Sequence, residues 1–186
     1  VDEVIEKTQS QIDKLQDLKK GTMNELLTKG IGHTEFKDSE LGRIPKSWEL
    51  VKFRDVFGDY KYGPRFSANN YDDDGNVKTI RGTDVTENSE INYDQVPTAL
   101  MDESIIDAHS LQQGDLVMIT TADCGLTAVF HDQALPYIAS AYAIKLTPTE
   151  KIVSQFAAFY LQSPKAIIQI EKFVRKGTVS NLPGSD

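Results

Sequence analysis

At 186 residues, with 39% apolar and 26% charged residues, the chain is long enough to bury a sizeable core and suits one domain plus an appendage. No apolar run approaches the ~18 residues of a membrane span, and a single cysteine, Cys124, excludes an intramolecular disulfide and a cysteine-built zinc site. The formal charge of −8, from 20 basic and 28 acidic residues, runs against indiscriminate phosphate binding.

Residues 2–29 are predicted to form one long helix without proline. Apolar or near-apolar residues recur at Val1, Ile5, Thr8, Ile12, Leu15, Leu18, Thr22 and Leu26, three and four apart. Asp2 and Glu3 lie near its start and Lys19, Lys20 and Lys29 toward its end, the arrangement the helix dipole favours. Gly30 stands where a glycine just past the last turn would stop it. About 28 residues at 1.5 Å each make a rod of about 40 Å. One narrow apolar stripe on such a rod asks for a partner helix, with Ile5, Ile12, Leu15, Leu18 and Leu26 as packing positions. The alternative is a helix lying across its own domain. No second heptad stretch of that length occurs in the chain.

Residues 30–47 read as a linker punctuated by glycine and proline, leading to Trp48. Beyond it, strands are expected at 48–52, 77–81, 115–121, 125–131 and 137–146. Helices are expected at 152–162 and 165–175, separated by Ser163-Pro164. The fold class that follows is α+β. A long N-terminal coiled-coil-type helix precedes a small mixed or antiparallel sheet domain with C-terminal helices.

Charge is unevenly spread. Between Arg81 and Lys145 there is no lysine or arginine, while that stretch carries Asp84, Glu87, Glu90, Asp94, Asp102, Glu103, Asp107, Asp115, Asp123 and Asp132. Basic residues flank it on both sides. A fold that joins the two basic blocks would have one basic and one acidic face; the alternative is a solvated surface with charge scattered by chance.

The sequence carries no complete catalytic motif. Asn70, Asp72, Asp74 and Gly75 begin like a calcium loop, but its twelfth position, which needs a bidentate glutamate, is Arg81. Cys124 lies between Asp123 and Gly125 in an acidic stretch, the wrong field for a thiolate nucleophile. His33, His109 and His131 are too dispersed to suggest a metal site. Phosphate loops, dinucleotide-binding glycine turns and nucleophile elbows do not occur. The expectation is a non-catalytic chain with no cofactor of its own, residing in the cytoplasm.

The segment LKKGTMNELLTKGIGHTEFKDSELGRIPKSWEL, Leu18 to Leu50, closely resembles the end of the conserved region of type I restriction–modification specificity (S) subunits and its exit into a recognition domain. TIRGTDV (Thr79 to Val85), GDLVMITTADCGLTAVF (Gly114 to Phe130), FAAFYLQSP and KGTVSNLPGSD (Lys176 to Asp186) resemble that family's looser pattern. The resemblance implies a spacer helix over 1–29, the linker 30–47 and a target-recognition domain over 48–186. It also implies that a full S subunit carries two such domains, held apart by two long helices packed together. Each domain reads one half of a split DNA target. Methyltransferase (M) subunits using S-adenosylmethionine bind the S subunit, and restriction (R) subunits join to translocate and cut DNA, with ATP and Mg belonging to those partners. On this view the partner helix of residues 2–29 would follow Asp186, and the chain is a half-subunit or fragment. It leaves room for a homodimer through the N-terminal helix.

Recognition needs phosphate anchors and side chains able to form directed bonds to base edges. By content the best loop is 59–71, with Lys61 and Arg65 as forks or anchors, Tyr60 and Tyr62 as amphipathic contacts, and Asn69 and Asn70 for adenine-type pairing. Lys78 and Arg81 are second candidates, although Arg81 could equally be tied to Asp84. Thr120, Thr121 and Asp123 sit in a hairpin that could reach bases without positive charge, as an accepting carboxylate does with cytosine, and Lys172, Arg175, Lys176 and Thr178 suit phosphates. Two other readings stay open: a scaffold for the same complex that reads no base, and an acidic DNA mimic, against which the basic blocks speak.

Overall fold

The computed structural model describes residues 2–183. Val1, the first position of the predicted stripe, and residues 184–186, the end of the closing stretch, lie outside them. The chain divides into two units, Val1–Leu50 and Val51–Asp186.

In the first unit, helix α1 spans Asp2–Lys29, as its apolar spacing predicts. Gly30 ends it at φ +67°, donating its N–H to Leu26 O at 3.0 Å. A Cβ at Gly30 would lie 2.5 Å from His33 Cδ2 and 2.8 Å from Trp48 Cζ2, so both the left-handed backbone and the space demand glycine. Leu27 is the buried residue of α1. The predicted packing positions stay in the open: Ile5 is 61% exposed, Leu15 64% and Leu18 65%, with Ile12 and Leu26 also exposed. The expected linker folds into a small antiparallel hairpin, β1 (Phe36–Lys37) with β2 (Ile44–Pro45), closed by reciprocal backbone bonds between Ser39 and Gly42.

The second unit begins with a short helix, α2 (Phe53–Val56), so the strand expected at 48–52 does not form. Strand β3 (Phe57–Tyr62) follows, and its Asp59–Tyr62 part falls in what reads as the loop 59–71. Its side chains are mostly exposed, so no apolar alternation signals it. Next come β4 (Val77–Ile80), β5 (Thr98–Ala99) and helix α3 (Glu103–His109). Strands β6 (Leu116–Ile119) and β7 (Thr127–Val129) fall inside the expected ranges. The stretch 137–146 is not one strand. Ala143 N–H closes a turn on Ser140 O at 3.0 Å, dividing it into β8 (Tyr137–Ala139) and β9 (Ala143–Pro148). These two strands enter different sheets, a break that continuous small apolar residues conceal. Helices α4 (Ser154–Leu161) and α5 (Pro164–Glu171) close the unit. Ser163 caps α5 by accepting from Ala166 N–H, and Pro164 opens it.

The larger sheet is antiparallel in the order β3-β9-β6-β7; the smaller is mixed, β5-β4-β8, with β4 and β8 parallel. Period-two alternation builds three apolar layers from them. Leu116 and Met118 of β6 face Ala157, Ala158 and Leu161 of α4, whereas Val117 and Ile119 face Ile80, Tyr137 and Ala139 of the other sheet. Ile138, between the last two, turns outward to Val77, Met101 and Ile106 of α3. All four β6 residues are therefore buried, as a strand covered on both faces must be.

Candidate nucleic-acid interface

Four segments of the second unit meet at one end of the larger sheet. The first leaves β3 through Gly63, where an added Cβ would fall 1.9 Å from Ala139 O and 2.3 Å from Ser140 O. Only glycine lets this backbone lie against the β8–β9 turn, and its N–H donates to Ala143 O at 3.1 Å. The second is that turn itself. Tyr142 O accepts from both Thr120 N (2.9 Å) and Thr120 Oγ1 (3.0 Å), while the residue is 64% exposed. The third is the hairpin after β6, in which Ala122 holds φ +65°, a rare setting for a residue with a side chain. The fourth is the segment 175–182 after α5. It is stitched to the hairpin by Ala122 N–H to Ser180 O (3.0 Å), Leu182 N–H to Thr120 O (2.7 Å) and Thr121 Oγ1 to Asn181 Oδ1 (3.3 Å). Tyr62 O–H donates to Leu182 O at 3.2 Å, joining the first segment to the fourth.

Between them lies a cleft of about 600 Å³ lined by Tyr62, Arg65, Thr121, Tyr142, Val179 and Asn181, with Thr120 at its base. The predicted residues Tyr62, Arg65, Thr120 and Thr121 thus come together although up to 59 positions separate them in the chain. Thr120 is 1% exposed and its hydroxyl is spent on Tyr142 O, so it shapes the cleft floor and cannot reach a base. Nothing in the sequence alone singles out Tyr142, Val179 and Asn181. Tyr142 was hidden within an expected strand, and only the Ala-Ser-Ala run before it hints at a turn.

Other candidates are committed elsewhere. Lys61 donates to Ala108 O at 2.7 Å, at the carbonyl end of α3, so it is a helix cap and not a free anchor. Lys78 donates to Val96 O at 3.1 Å. Arg81 grips the fully buried Asp84 through Nε (3.1 Å) and Nη2 (2.9 Å), which decides for the structural alternative. Asn70 Nδ2 donates to Leu100 O at 3.0 Å, fixing a turn. Asn69, Lys172, Lys176 and Thr178 are exposed, and Arg175 holds its segment by exchanging backbone bonds with Asn181 at 2.8 and 3.1 Å.

Beneath the cleft, the Cys124 thiol donates to Thr120 O at 3.2 Å, and burial pushes its pKa up, the opposite of an activated nucleophile. His109 is held below the ordinary histidine value, first by burial and then by Lys61. Among the described residues no group of three histidine, cysteine or carboxylate side chains could hold a metal ion, and no helix is long and apolar enough to cross a membrane.

Residues 45–183 match the family described as the type I restriction modification DNA specificity domain. The chain belongs to that family. Among curated relatives, the specificity subunit of the type I restriction enzyme MjaVIII from Methanocaldococcus jannaschii is 40% identical over 81 residues, 43% of this chain and 19% of that protein. The putative type I restriction enzyme MjaX specificity subunit of the same organism is 44% identical over 62 residues, 33% of this chain and 14% of that protein. The matched stretches thus span a fifth or less of those relatives. The HsdS subunit of Thermoanaerobacter tengcongensis has a similar fold, with a TM-score of 0.57 over 96% of this chain and 42% of that one at 16% identity. So has a chain from a study of complex assembly and conformational transition of the type I restriction–modification system, with a TM-score of 0.54 over 98% of this chain and 46% of that one at 14% identity. The specificity domain therefore shares a helix-plus-sheet architecture with these structures.

Proposed function

We propose that this specificity domain reads one half of a bipartite DNA target for a type I restriction–modification complex and docks methyltransferase subunits, adding no catalysis of its own. Methylation and cleavage, with S-adenosylmethionine, ATP and Mg, belong to the M and R subunits, and the setting is the cytoplasm. The observation that carries the reading is the cleft. It gathers a guanidinium, a tyrosine ring, a hydroxyl and an amide from four segments onto a scaffold of paired strands, a mixture suited to base edges. The exposed Lys172, Lys176, Thr178 and Asn69 serve as flanking phosphate or sugar contacts. The bare stripe of α1 serves assembly, either with a second helix of an S subunit or with a second copy of the chain.

The test is selection from random duplex DNA by the full chain with the methyltransferase subunit of its system, at near-physiological salt. Recovery of a short motif of about three to five base pairs, single or as a symmetric pair, is expected. A complex that forms and selects no motif would favour the second reading, a scaffold that reads no base, for which the uncovered stripe of α1 already speaks.

A further inference from the structure

The basic side chains of the second unit are not equivalent. Lys61 and Lys145 are drawn to the carbonyl end of α3, Lys78 to Val96 O and Arg81 to Asp84. Arg65 is exposed, lines the cleft, and among the described residues makes no hydrogen bond or ion pair. Its backbone is nevertheless fixed close by. Gly63, two residues before it, is clamped against Ala139 and Ser140 with no room for a Cβ, and Pro64 restricts the step between them. A fork with unspent donors on a held backbone is the arrangement that directed recognition requires.

The surroundings separate a base edge from a phosphate. A single guanidinium can bond to either, so what stands beside it decides, and among the described residues Arg65 is the one cation lining the cleft. Its other lining groups are the Thr121 hydroxyl and Asn181 amide, which have short, directed reach, and the exposed Val179 and Tyr142, which offer apolar contact. Of the four bases, guanine presents two acceptors, O6 and N7, side by side in the major groove, at the spacing of two guanidinium N–H groups. We infer that Arg65 is a specificity-determining residue that reads a guanine of the target through O6 and N7. This rests on the cleft being the base-contacting surface.

The experiment compares selections by the full chain, with its methyltransferase subunit, for wild type, Arg65→Ala and Arg65→Lys. Wild type is expected to return a motif with an invariant guanine. Arg65→Ala should return the same motif with that one position relaxed, its preference falling by about tenfold or more. Arg65→Lys should also relax it, because a single ammonium lacks the fork. Replacing that guanine by 7-deazaguanine, which keeps pairing and O6 but lacks N7, should weaken wild type and leave Arg65→Ala unaffected. A motif retained in full by Arg65→Ala overturns the inference and leaves the cleft reading standing. So does a uniform loss of affinity with a salt slope shallower by about one, the mark of a phosphate contact. A wild-type complex that selects no motif overturns the cleft reading itself, and the inference with it.

Discussion

Lys61 and Lys145 lie directly opposite one another on β3 and β9, and both ammonium groups reach the same helix end: Lys61 Nζ is 2.7 Å from Ala108 O and Lys145 Nζ 3.2 Å from Ser110 O. Like charges facing across a sheet repel, yet here the carbonyls at the end of α3 supply the compensating negative field. Lys61→Met is expected to lower stability by about 0.5–1.5 kcal/mol and to leave the salt dependence of DNA affinity unchanged. Urea unfolding and a salt titration of binding check the two halves.

The same pair bears on His109. Burial first, and Lys61 second, hold its imidazole below the ordinary value, with Lys145 acting in the same direction and a bond to the Tyr62 backbone opposing. As pH falls through the ordinary value, the unfolded chain takes up the proton first, so stability decreases and continues to do so down to the folded-state value. Above the ordinary value the group adds no pH dependence. Unfolding free energies between about pH 5 and 7 should slope for wild type and flatten in His109→Gln. Equal slopes would refute the assignment.

Asp84 is buried without exposure and takes three bonds from Arg81, one from its backbone N–H at 2.8 Å and two from its guanidinium. Arg81→Ala leaves that carboxylate without its guanidinium partner and should destabilise the domain by about 2–4 kcal/mol. At a temperature where the variant is folded, the selected DNA motif should be the same as wild type. A changed motif would show that Arg81 contacts DNA.

Gly63→Ala places a methyl against two backbone carbonyls that cannot retreat without opening the β8–β9 turn. A loss of about 1–3 kcal/mol is expected, together with weaker DNA binding, because Arg65 and Tyr142 are carried by the two segments pressed together there. Thermal melting and binding measured on one preparation would show whether both fall.

Leu15→Glu with Leu18→Glu alters only exposed positions of α1. The unfolding of residues 51–186 should be unchanged, whereas association with the methyltransferase subunit or with a second copy should drop. Sedimentation velocity separates these outcomes, and unaltered association would remove the assembly role of the stripe.

The elements legible beforehand were those written in local periodicity: α1 with its glycine stop, β4, β6, β7, and the helices on either side of Ser163-Pro164. The short or exposed ones were not. β3 pairs through its backbone while most of its side chains face water, and α3 has only seven residues, too few for a repeating signal. The stretch 137–146 misled because Ala-Ser-Ala suits a strand as well as a tight turn, and the choice is made by two sheets competing for the residues on either side.

For the candidate site the division follows range. Local chemistry alone marked Arg65, Tyr62, Thr120 and Thr121 as residue types suited to DNA, and the contiguous Leu18–Leu50 segment marked the family. Which cations remain available was decided only by tertiary structure, because a lysine's charge is spent or spare according to the carbonyl or carboxylate that folding brings beside it. Lys61 met a helix end 47 residues away, and among the described residues Arg65 met no partner. The cleft likewise depends on Asn181 returning to Thr121 across 60 positions, a contact that no local pattern encodes.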